Sequence, residues 1–406
     1  MTERYKIAIL IENFDKKGGS ERRTYELVKR LKDNGNKITV FASSWSDTPP
    51  LVGDGINFVK VPMTRWPFRF MAPLTYAYFA DRAVNPVRNK APKAPDGCLW
   101  QPVSNGVKKE DFDIIHSQTR TYYQDVATLG GGCHRAWIDE GSSLKLLDPF
   151  HRAVLSIEKR QFQNGNYKMI IVNSNLSKDG ILKFYPVPEE RIKVIYNGVD
   201  TERFSPANKE RYRTEIRRRH NLSEDDFVIL YVGSGFKRKG VSYLIEAVAR
   251  LGNNTINKNR IKLLIVGKDK LMPYKRLAAK TGIDKNIIFV DYASETEKYY
   301  AASDIFALPT FFDPFANVTL EAMASGLPVI TTKKNGASEI IEDGKDGFVI
   351  NTPLEIDALA EKIRVLLNPE TRRNMANMAR EKSKRFTWDR MTEETLKVYD
   401  EIRAFG

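Results

Sequence analysis

Short, continuous apolar runs recur along this chain of 406 residues, and longer amphipathic segments separate them. Runs without polar alternation are typical of strands that are buried on both faces of a parallel sheet. Strand, helix and strand at this spacing predict right-handed βαβ units. The first series of runs covers 5–11, 37–42, 112–116, 169–173 and 191–196. The second series covers 227–232, 262–266, 287–290, 305–308 and 328–331.

The two series predict an α/β protein with two Rossmann-like domains, 1–198 and 199–385, and a terminal helix within 386–406. Two such domains in tandem are expected to face each other across a deep cleft, beyond the carboxyl ends of both sheets. Residues 82–109 interrupt the pattern with four prolines among Lys, Arg and Asn, which predicts a mobile inserted loop.

The composition narrows the class of protein. The net charge is +14, which suits a phosphorylated substrate, an anionic lipid surface or a nucleic acid. No zinc-ligand spacing, RNP aromatics or basic heptads are present, so we expect no nucleic-acid partner. The start of the sequence lacks an apolar signal region, and no apolar run approaches the roughly 18 residues of a membrane span, so we expect a cytoplasmic protein.

Two carboxylates stand eight positions apart in the segment DPFANVTLE, as Asp313 and Glu321. Asp313 follows a predicted strand, and Glu321 is predicted to lie in the first turn of a helix. The N-terminus of that helix would direct free N–H groups and positive dipole charge towards a ligand beyond the strand ends. The alternative is an ordinary helix with Asn317 as its N-cap.

A glycine-containing turn follows the first strand of each series. The first is GGSERR, with Gly18 and Gly19, and Ser20 is a candidate cap of the next helix. The second is GSGFKRKG, in which Arg238 and Lys239 stand beside glycine-rich backbone suited to a diphosphate. The turn GGSERR is not G-x-G-x-x-G, so it does not indicate a nicotinamide cofactor. The alternatives are a plain strand-to-helix turn and a solvated run of charges.

Taken together, GGSERR, NGVD, GSGFKRKG and DPFANVTLEAMASGLPVITT resemble the retaining family 4 glycosyltransferases of GT-B fold. The chain departs from that family's E-x(7)-E motif, because Asp313 replaces the first Glu. The resemblance implies that Asp313 contacts the donor sugar, that Glu321 contacts the nucleotide ribose, and that Arg238 and Lys239 bind the diphosphate. The further donor-binding residues that it implies are Gly18, Gly19, Gly233, Phe315, Ala316, Asn317 and Val318.

The resemblance also assigns the N-terminal domain to the acceptor, and the terminal helix is expected to cross back onto that domain. Many family members carry H-x-H after the strand at 112–116, where this chain has His116 and Gln118. We expect His116 to be structural and name Gln118, Asp125 and His134 as acceptor-side candidates. A lone histidine is more often structural than catalytic, which is the alternative for His134.

The stretch GSGFKRKGV followed by VGKDK is similar to the lipopolysaccharide core glucosyltransferases of this family. This similarity implies a UDP-sugar donor, with glucose as the expected hexose, and a lipid-linked saccharide acceptor. Without a D-x-D motif, we expect no metal or other cofactor and a front-face displacement. The alternatives are a sugar-nucleotide epimerase of GT-B-like fold and a noncatalytic basic module that binds lipid.

Cations and large apolar side chains alternate in residues 65–71, RWPFRFM. Such a segment suits an anionic lipid interface, and a partly buried helix start is the alternative. We therefore expect peripheral contact with the inner face of the cytoplasmic membrane.

Overall fold

The computed structural model describes residues 5–15, 18–45, 55–64, 68–84, 112–141, 143–163, 165–251 and 260–404. Its contacts divide the chain into two compact units. The first unit contains residues 1–196 and 391–406, and the second contains residues 197–390. Most of the predicted insertion at 82–109 lies outside the described residues.

The first unit is built on a parallel sheet with the strand order β3-β2-β1-β4-β5-β6-β7. Its strands are β1 (Lys6–Phe14), β2 (Lys37–Trp45), β3 (Ile56–Lys60), β4 (Ile114–Ser117), β5 (Val126–Leu129), β6 (Met169–Val172) and β7 (Ile192–Val194). Its helices are α1 (Gly19–Asp33), α2 (Met71–Val84), α3 (His134–Asp139), α4 (Pro149–Gln161), α5 (Asn175–Phe184) and, from residue 391 onward, α13 (Trp388–Ala404).

The second unit repeats the same order of strands, β10-β9-β8-β11-β12-β13, and all of its described pairs are parallel. Its strands are β8 (Phe227–Val232), β9 (Ile261–Val266), β10 (Ile287–Val290), β11 (Ile305–Leu308), β12 (Val329–Thr332) and β13 (Gly347–Ile350). Its helices are α6 (Asn208–Arg219), α7 (Val241–Leu251), α8 (Met272–Lys280), α9 (Thr296–Ala302), α10 (Asn317–Ala324), α11 (Ile356–Val365) and α12 (Pro369–Ser383).

In each sheet the order of strands reverses beside the first strand of the series. The reversal lies between β1 and β4 in the first unit and between β8 and β11 in the second. In doubly wound sheets a ligand binds at this switch point, outside the carboxyl ends of the strands. The fold therefore directs attention to the loops that follow β1, β4, β8 and β11.

Two Rossmann-like units with parallel sheets confirm the predicted fold class, and the structure adds strands β3, β5 and β13 to the predicted series. One local prediction was wrong. Helix α1 begins at Gly19 with Gly18 at the N-cap position, so Ser20 lies inside the helix and does not cap it.

The C-terminal helix α13 packs within the first unit from residue 391 onward. The hydroxyl of Tyr399 lies 2.5 Å from Nδ1 of His116, and Lys193 pairs with Glu401 at 2.9 Å. Among the described helices, none combines the length and the apolar character needed to cross a membrane.

Candidate active site

The glycine-rich loop after β8 turns sharply because its three glycines, Gly233, Gly235 and Gly240, all adopt positive φ angles. Gly233 has φ of 144° and Gly240 has φ of 74°. A Cβ atom on Gly240 would lie only 1.9 Å from the carbonyl oxygen of Pro309, which follows β11. The backbone of this loop can therefore approach the end of β11 only because residue 240 has no side chain.

This close approach brings two cations to one carboxylate at the switch point of the second sheet. Oδ2 of Asp313 lies 3.2 Å from Nη1 of Arg238 and 3.3 Å from Nζ of Lys239. Nη1 of Arg238 also donates to the carbonyl oxygen of Phe312 at 2.5 Å. The sequence assigned Asp313 to a sugar and the cations to a diphosphate, and the structure places all three in one cluster.

Asn335 fixes the backbone on both sides of that carboxylate. It is fully buried, and its Oδ1 accepts the N–H groups of Ala316 and Ala337, each at 3.1 Å. Its Nδ2 donates to Oγ1 of Thr319 at 3.0 Å. Sequence reasoning missed Asn335, although the Asn-Gly pair that it forms with Gly336, separated by two residues from the end of β12, is a turn signal.

Helix α10 differs from its predicted capping in two details. Ala316 takes the N-cap position and no side chain caps the helix, so Asn317 is the first helical residue rather than the cap. Oδ1 of Asn317 accepts a hydrogen bond from Nδ2 of Asn197 at 2.7 Å. Glu321 lies in the second turn and not in the first.

Glu321 is held from the side by a buried tyrosine. The hydroxyl of Tyr300, on α9, donates to Oε2 of Glu321 at 3.1 Å, and Glu321 is 7% exposed. Of the other expected donor-binding residues, Phe315 and Ala316 are buried, while Val318 is partly exposed. Sequence reasoning missed Tyr300, because nothing in the pattern of α9 indicates its distant partner.

The first unit has its own cavity of about 620 Å³ at the switch point between β1 and β4. Gln118, which follows β4, lines it together with Ser20 of α1 and His134 of α3. Gly18 and Gly19, at the start of α1, directly precede Ser20. The structure thus brings Gln118 and His134 to one cavity in the first unit.

Gln118 and His116 belong to a buried network behind that cavity. Nε2 of Gln118 lies 2.8 Å from Nε2 of His116, and that ring nitrogen is 2.7 Å from Oγ1 of Thr128. Burial, followed by the charge of Arg23, holds the pKa of His116 well below its usual value. His116 therefore sits as a neutral, fully bonded ring.

Glu158 of α4 organises the other wall of the cavity. Its Oε2 accepts the N–H of His134 at 2.8 Å and pairs with Nε of Arg120 at 2.9 Å. Burial opposes its ionisation, but Arg120 and the N–H groups of His134 and Arg135 hold the pKa of Glu158 below its usual value. The charged carboxylate thus fixes the start of α3 beside the cavity, and sequence reasoning missed it.

His134 presents its ring within a group of aromatic side chains. Its Nε2 lies 3.1 Å from Nδ1 of His151, and its ring stacks on Trp137 with centroids 5.4 Å apart. Burial, and then the charge of Arg120, lower the pKa of His134 to about 4. The ring is therefore neutral at physiological pH and can accept or donate one hydrogen bond.

Asp125 has a different place from the one that the sequence suggested. It immediately precedes β5, at the amino end of the strand, while the cavity lies at the carboxyl ends. Its Oδ2 accepts the N–H of Ile115 at 2.9 Å and its Oδ1 lies 3.6 Å from Nζ of Lys168. Asp125 is buried and joins strands, and the structure does not bring it together with Gln118 and His134.

Two family models match this chain, one on each unit. Residues 17–203 match the model described as Glycosyltransferase Family 4, and residues 212–382 match the model described as Glycosyl transferases group 1. An uncharacterized glycosyltransferase of Methanocaldococcus jannaschii is 29% identical over 94% of this chain and 94% of its own length.

Two further similarities extend over most of the chain. The lipopolysaccharide glucosyltransferase WaaG of Escherichia coli is 25% identical over 86% of each chain. A crystal structure of WaaG superposes with a TM-score of 0.78 at 23% identity, covering 98% of this chain and 99% of that one.

A structure of Anabaena HepE in complex with UDP and glucose superposes with a TM-score of 0.69 at 19% identity. It covers 98% of this chain and 100% of that one. The two family models, the match to WaaG and the two parallel sheets agree with one another. The chain therefore belongs to the family 4 glycosyltransferases of GT-B fold.

Proposed function

We propose that this enzyme transfers a hexose, with glucose as the expected sugar, from a UDP-sugar to a lipid-linked saccharide acceptor. The anomeric configuration is retained, and no metal ion takes part. The acceptor belongs to the class of lipopolysaccharide core saccharides, which implies work at the inner face of the cytoplasmic membrane.

The observation that carries the proposal is the cluster of Arg238, Lys239 and Asp313 at the switch point of the second sheet. Two fixed cations beside a glycine-rich turn suit the two phosphates of a nucleoside diphosphate. Their contacts to Asp313 hold them at 3.2 Å and 3.3 Å before a ligand arrives. In support of UDP and glucose, the structurally similar Anabaena protein was crystallised with both.

The proposed roles combine those that the family resemblance implies with the contacts of the second unit. Arg238 and Lys239 stabilise negative charge as it develops on the departing phosphate, which is the role that a metal ion fills in other enzymes. Asp313 uses Oδ2 for both cations, so we assign its Oδ1 to a hydroxyl of the donor sugar. Glu321, oriented by Tyr300, accepts from the ribose.

Retention of configuration would ordinarily use a carboxylate nucleophile on the opposite face of the sugar. The sequence offers no dependable candidate for that carboxylate. We therefore propose a front-face displacement, in which the departing phosphate accepts the proton of the acceptor hydroxyl. The same fixed cations then stabilise the phosphate as it leaves.

The acceptor is assigned to the cavity of the first unit. Gln118 offers an amide there, and the neutral ring of His134 offers one donor or acceptor. The ring of His134, which lines the cavity, is held by stacking on Trp137 and by its contact with His151.

A donor screen tests the proposal. Thermal shifts with UDP-, ADP- and GDP-sugars, all measured with EDTA present, are expected to single out UDP-glucose. Mass spectrometry of extracted core lipid incubated with that donor should show the addition of one hexose, and NMR should show the donor's anomeric configuration in the product. Glu321→Gln is the inactive control.

Other outcomes of this screen would reject parts of the proposal or identify an epimerase. Stabilisation by a GDP- or ADP-sugar alone would reject UDP as the donor nucleotide. Conversion of the UDP-sugar to an epimer without an acceptor would identify an epimerase. Activity that is lost in EDTA and restored by manganese would reject the metal-independent mechanism.

A further inference from the structure

A second cavity, of about 390 Å³, lies within the second unit near the amino ends of its strands, opposite to the carboxyl ends that carry Arg238 and Asp313. Asp304, which lines it, immediately precedes β11, and its Oδ2 accepts the N–H of Val228 near the start of β8 at 2.8 Å. The cluster of Arg238 and Asp313 follows the carboxyl ends of these strands. Since β8 has six residues, about 20 Å separates the two edges.

The charges on the wall of this cavity are mostly positive. Five cations and two carboxylates line it among the described residues: Lys209, Arg213, Arg372, Arg373 and Arg380, with Asp304 and Glu381.

Both carboxylates already have partners. Asp304 pairs with Nη2 of Arg213 at 3.2 Å and with Nη2 of the buried Arg217 at 3.0 Å. Glu381 pairs with Lys384, outside the lining. Within the described ranges, no carboxylate contacts Lys209 or Arg373, so the cavity carries excess positive charge.

Two of the arginines are held in place by neutral groups. Nη1 of Arg372 donates to the carbonyl oxygens of Leu366 and Leu367 at 2.8 Å and 3.2 Å. Nη1 of Arg380 donates to the carbonyl oxygens of Phe204 and Ala324 at 3.0 Å and 2.7 Å. Carbonyl groups orient a guanidinium without neutralising it, so both charges remain available to an anion.

The excess positive charge affects the pKa of Lys209. Burial lowers its pKa first, Asp304 partly opposes that effect, and Arg213, Arg372 and Arg217 lower the pKa further. An anion in the cavity would act in the same direction as Asp304 and oppose the effect of the arginines, because it would place negative charge between the cations. Negative charge from an anion at this place would offset the repulsion among these cations.

We propose that this cavity binds a small molecule through a phosphate group, at a site separate from the nucleotide-sugar site. Guanidinium groups match the geometry of phosphate oxygens with paired N–H donors, and a lysine adds a mobile point charge. A volume of about 390 Å³ suits a small metabolite. Nucleic acid is instead bound along an extended basic surface.

Calorimetry with two probes, glycerol 3-phosphate and inorganic phosphate, tests the proposal. The titrations are run in saturating UDP, so that the cations at the carboxyl edge are already occupied. The test variant is Lys209→Met with Arg373→Ser. The matched control is Lys280→Met with Arg276→Ser, which removes the same charge from exposed positions of α8.

Wild type and the control should bind the probes with Kd values within about twofold of each other, and the test variant should bind at least about tenfold more weakly. The two probes distinguish a phosphate ester from free phosphate, because tighter binding of glycerol 3-phosphate means that the rest of the molecule is also recognised. If the double variant fails to fold, Arg373→Ser alone replaces it, because Arg373 is exposed.

Three results would overturn the proposal: no binding by wild type, equal binding by the test variant, or equal losses in both variants. A ten-nucleotide single-stranded DNA that binds through Lys209 and Arg373 while both small probes fail would show a nucleic-acid surface instead. Because the variants themselves locate the site, the outcome does not depend on which sugar nucleotide the enzyme uses.

Discussion

A single carboxylate oxygen of Asp313 pairs with two cations. That oxygen, Oδ2, lies within 3.3 Å of both Arg238 and Lys239. The arrangement keeps the two positive charges close together before any ligand is present, which they would otherwise resist. A diphosphate that enters this cluster meets donors already in position, so that little reorganisation accompanies binding.

Removing either cation should weaken the binding of UDP itself. We expect Arg238→Ala and Lys239→Ala each to weaken the free energy of UDP binding by about 1.5 to 3 kcal/mol, because charge-assisted hydrogen bonds to phosphate are lost. Lys237→Ala is the matched control, since Lys237 is exposed in the same loop. Calorimetry that gave all three variants the wild-type Kd would reduce the loop to a surface turn.

Glu321 is expected to act on the donor rather than on stability. Glu321→Gln should reduce kcat/KM, with a loss of transition-state stabilisation of about 2 to 4 kcal/mol, because the charged acceptor proposed for the ribose is lost. Tyr300→Phe removes one hydrogen bond to Glu321 and should cost about 1 kcal/mol. Wild-type turnover in a folded Glu321→Gln variant would exclude Glu321 from the site.

At the scale of elements, the loop between β8 and α7 depends on backbone contact with the end of β11. The carbonyl of Pro309 occupies the space that a side chain at position 240 would need. The amide of Phe311 also donates to the carbonyl oxygen of Arg238 at 2.9 Å. The cations are therefore placed by a close packing of backbone, and side-chain contacts refine their positions.

Two glycine-to-alanine variants distinguish the cost of a left-handed backbone from the cost of a steric clash with Pro309. Gly240 and Gly282 have nearly equal φ angles of 74° and 70°, but nothing lies within 4 Å of a Cβ on Gly282. Gly282→Ala should cost about 1 to 2 kcal/mol for the left-handed backbone alone. Gly240→Ala should cost clearly more and also weaken UDP binding, as urea unfolding and calorimetry can measure. Equal costs would mean that the contact with Pro309 gives way freely.

A second element-scale prediction concerns the start of α3. The pKa of His134 is lowered from 6.5 to about 4 in the folded protein, so the folded state takes up its proton less readily than the unfolded chain. The neutral ring thus contributes stability that is complete above about pH 6.5 and is lost as the pH falls towards about 4.

We expect the free energy of unfolding to fall between about pH 7.5 and about pH 5, and to fall less in His134→Asn, which cannot take up this proton. Urea unfolding at both pH values measures it. Parallel pH profiles would show that His134 is protonated without cost.

For the whole molecule, local apolar runs predicted most of the architecture. The strand predicted at 227–232 is β8, and the one at 287–290 is β10, because a buried parallel strand leaves an uninterrupted apolar run. Strand β5, with the sequence VATL, is too short and too mixed to stand out. The rules for βαβ units fix the hand of each connection but not the order of the strands, and that order comes from the structure.

The candidate site was predictable only where its residues are close together in the sequence. Asp313 and Glu321 share one segment, and Arg238 and Lys239 share another. Glu158 lies 24 residues from His134, and Tyr300 lies 21 residues from Glu321. Such partners meet only when helices pack, and no periodic pattern carries that information.

The first unit also exposes apolar side chains beside its cavity. Phe68 is 58% exposed, and the guanidinium of Arg69 lies 4.2 Å from the ring centroid of Phe150, at the start of α4. Leu144 and Leu147, in the turn that leads into α4, are 71% and 76% exposed. Arg65 and Trp66, which the sequence also assigned to a lipid interface, lie outside the described residues.

We expect reversible binding to anionic vesicles, with each surface cation adding about 1 kcal/mol, and weaker binding at high salt. The triple variant Phe68→Ser, Arg69→Ser and Leu147→Ser should bind less. Tyr292→Ser with Leu354→Ser, exposed positions of the second unit, is the control. Cosedimentation measures the effect. Equal binding to neutral and anionic vesicles, or none to either, would assign the basic charge to another role.

The contacts described above for Asp313 and Glu321 lie within residues 197–390, and those described for Gln118 and His134 lie within residues 1–196 and 391–406. A substitution in one set thus leaves the contacts of the other unaltered. Under the proposed function, selection can then change the donor site and the acceptor cavity one at a time. In recombination between relatives, the natural piece of exchange is the segment 197–390, because residues 391–406 belong to the first unit and a single crossover near residue 197 would separate Tyr399 from its partner His116.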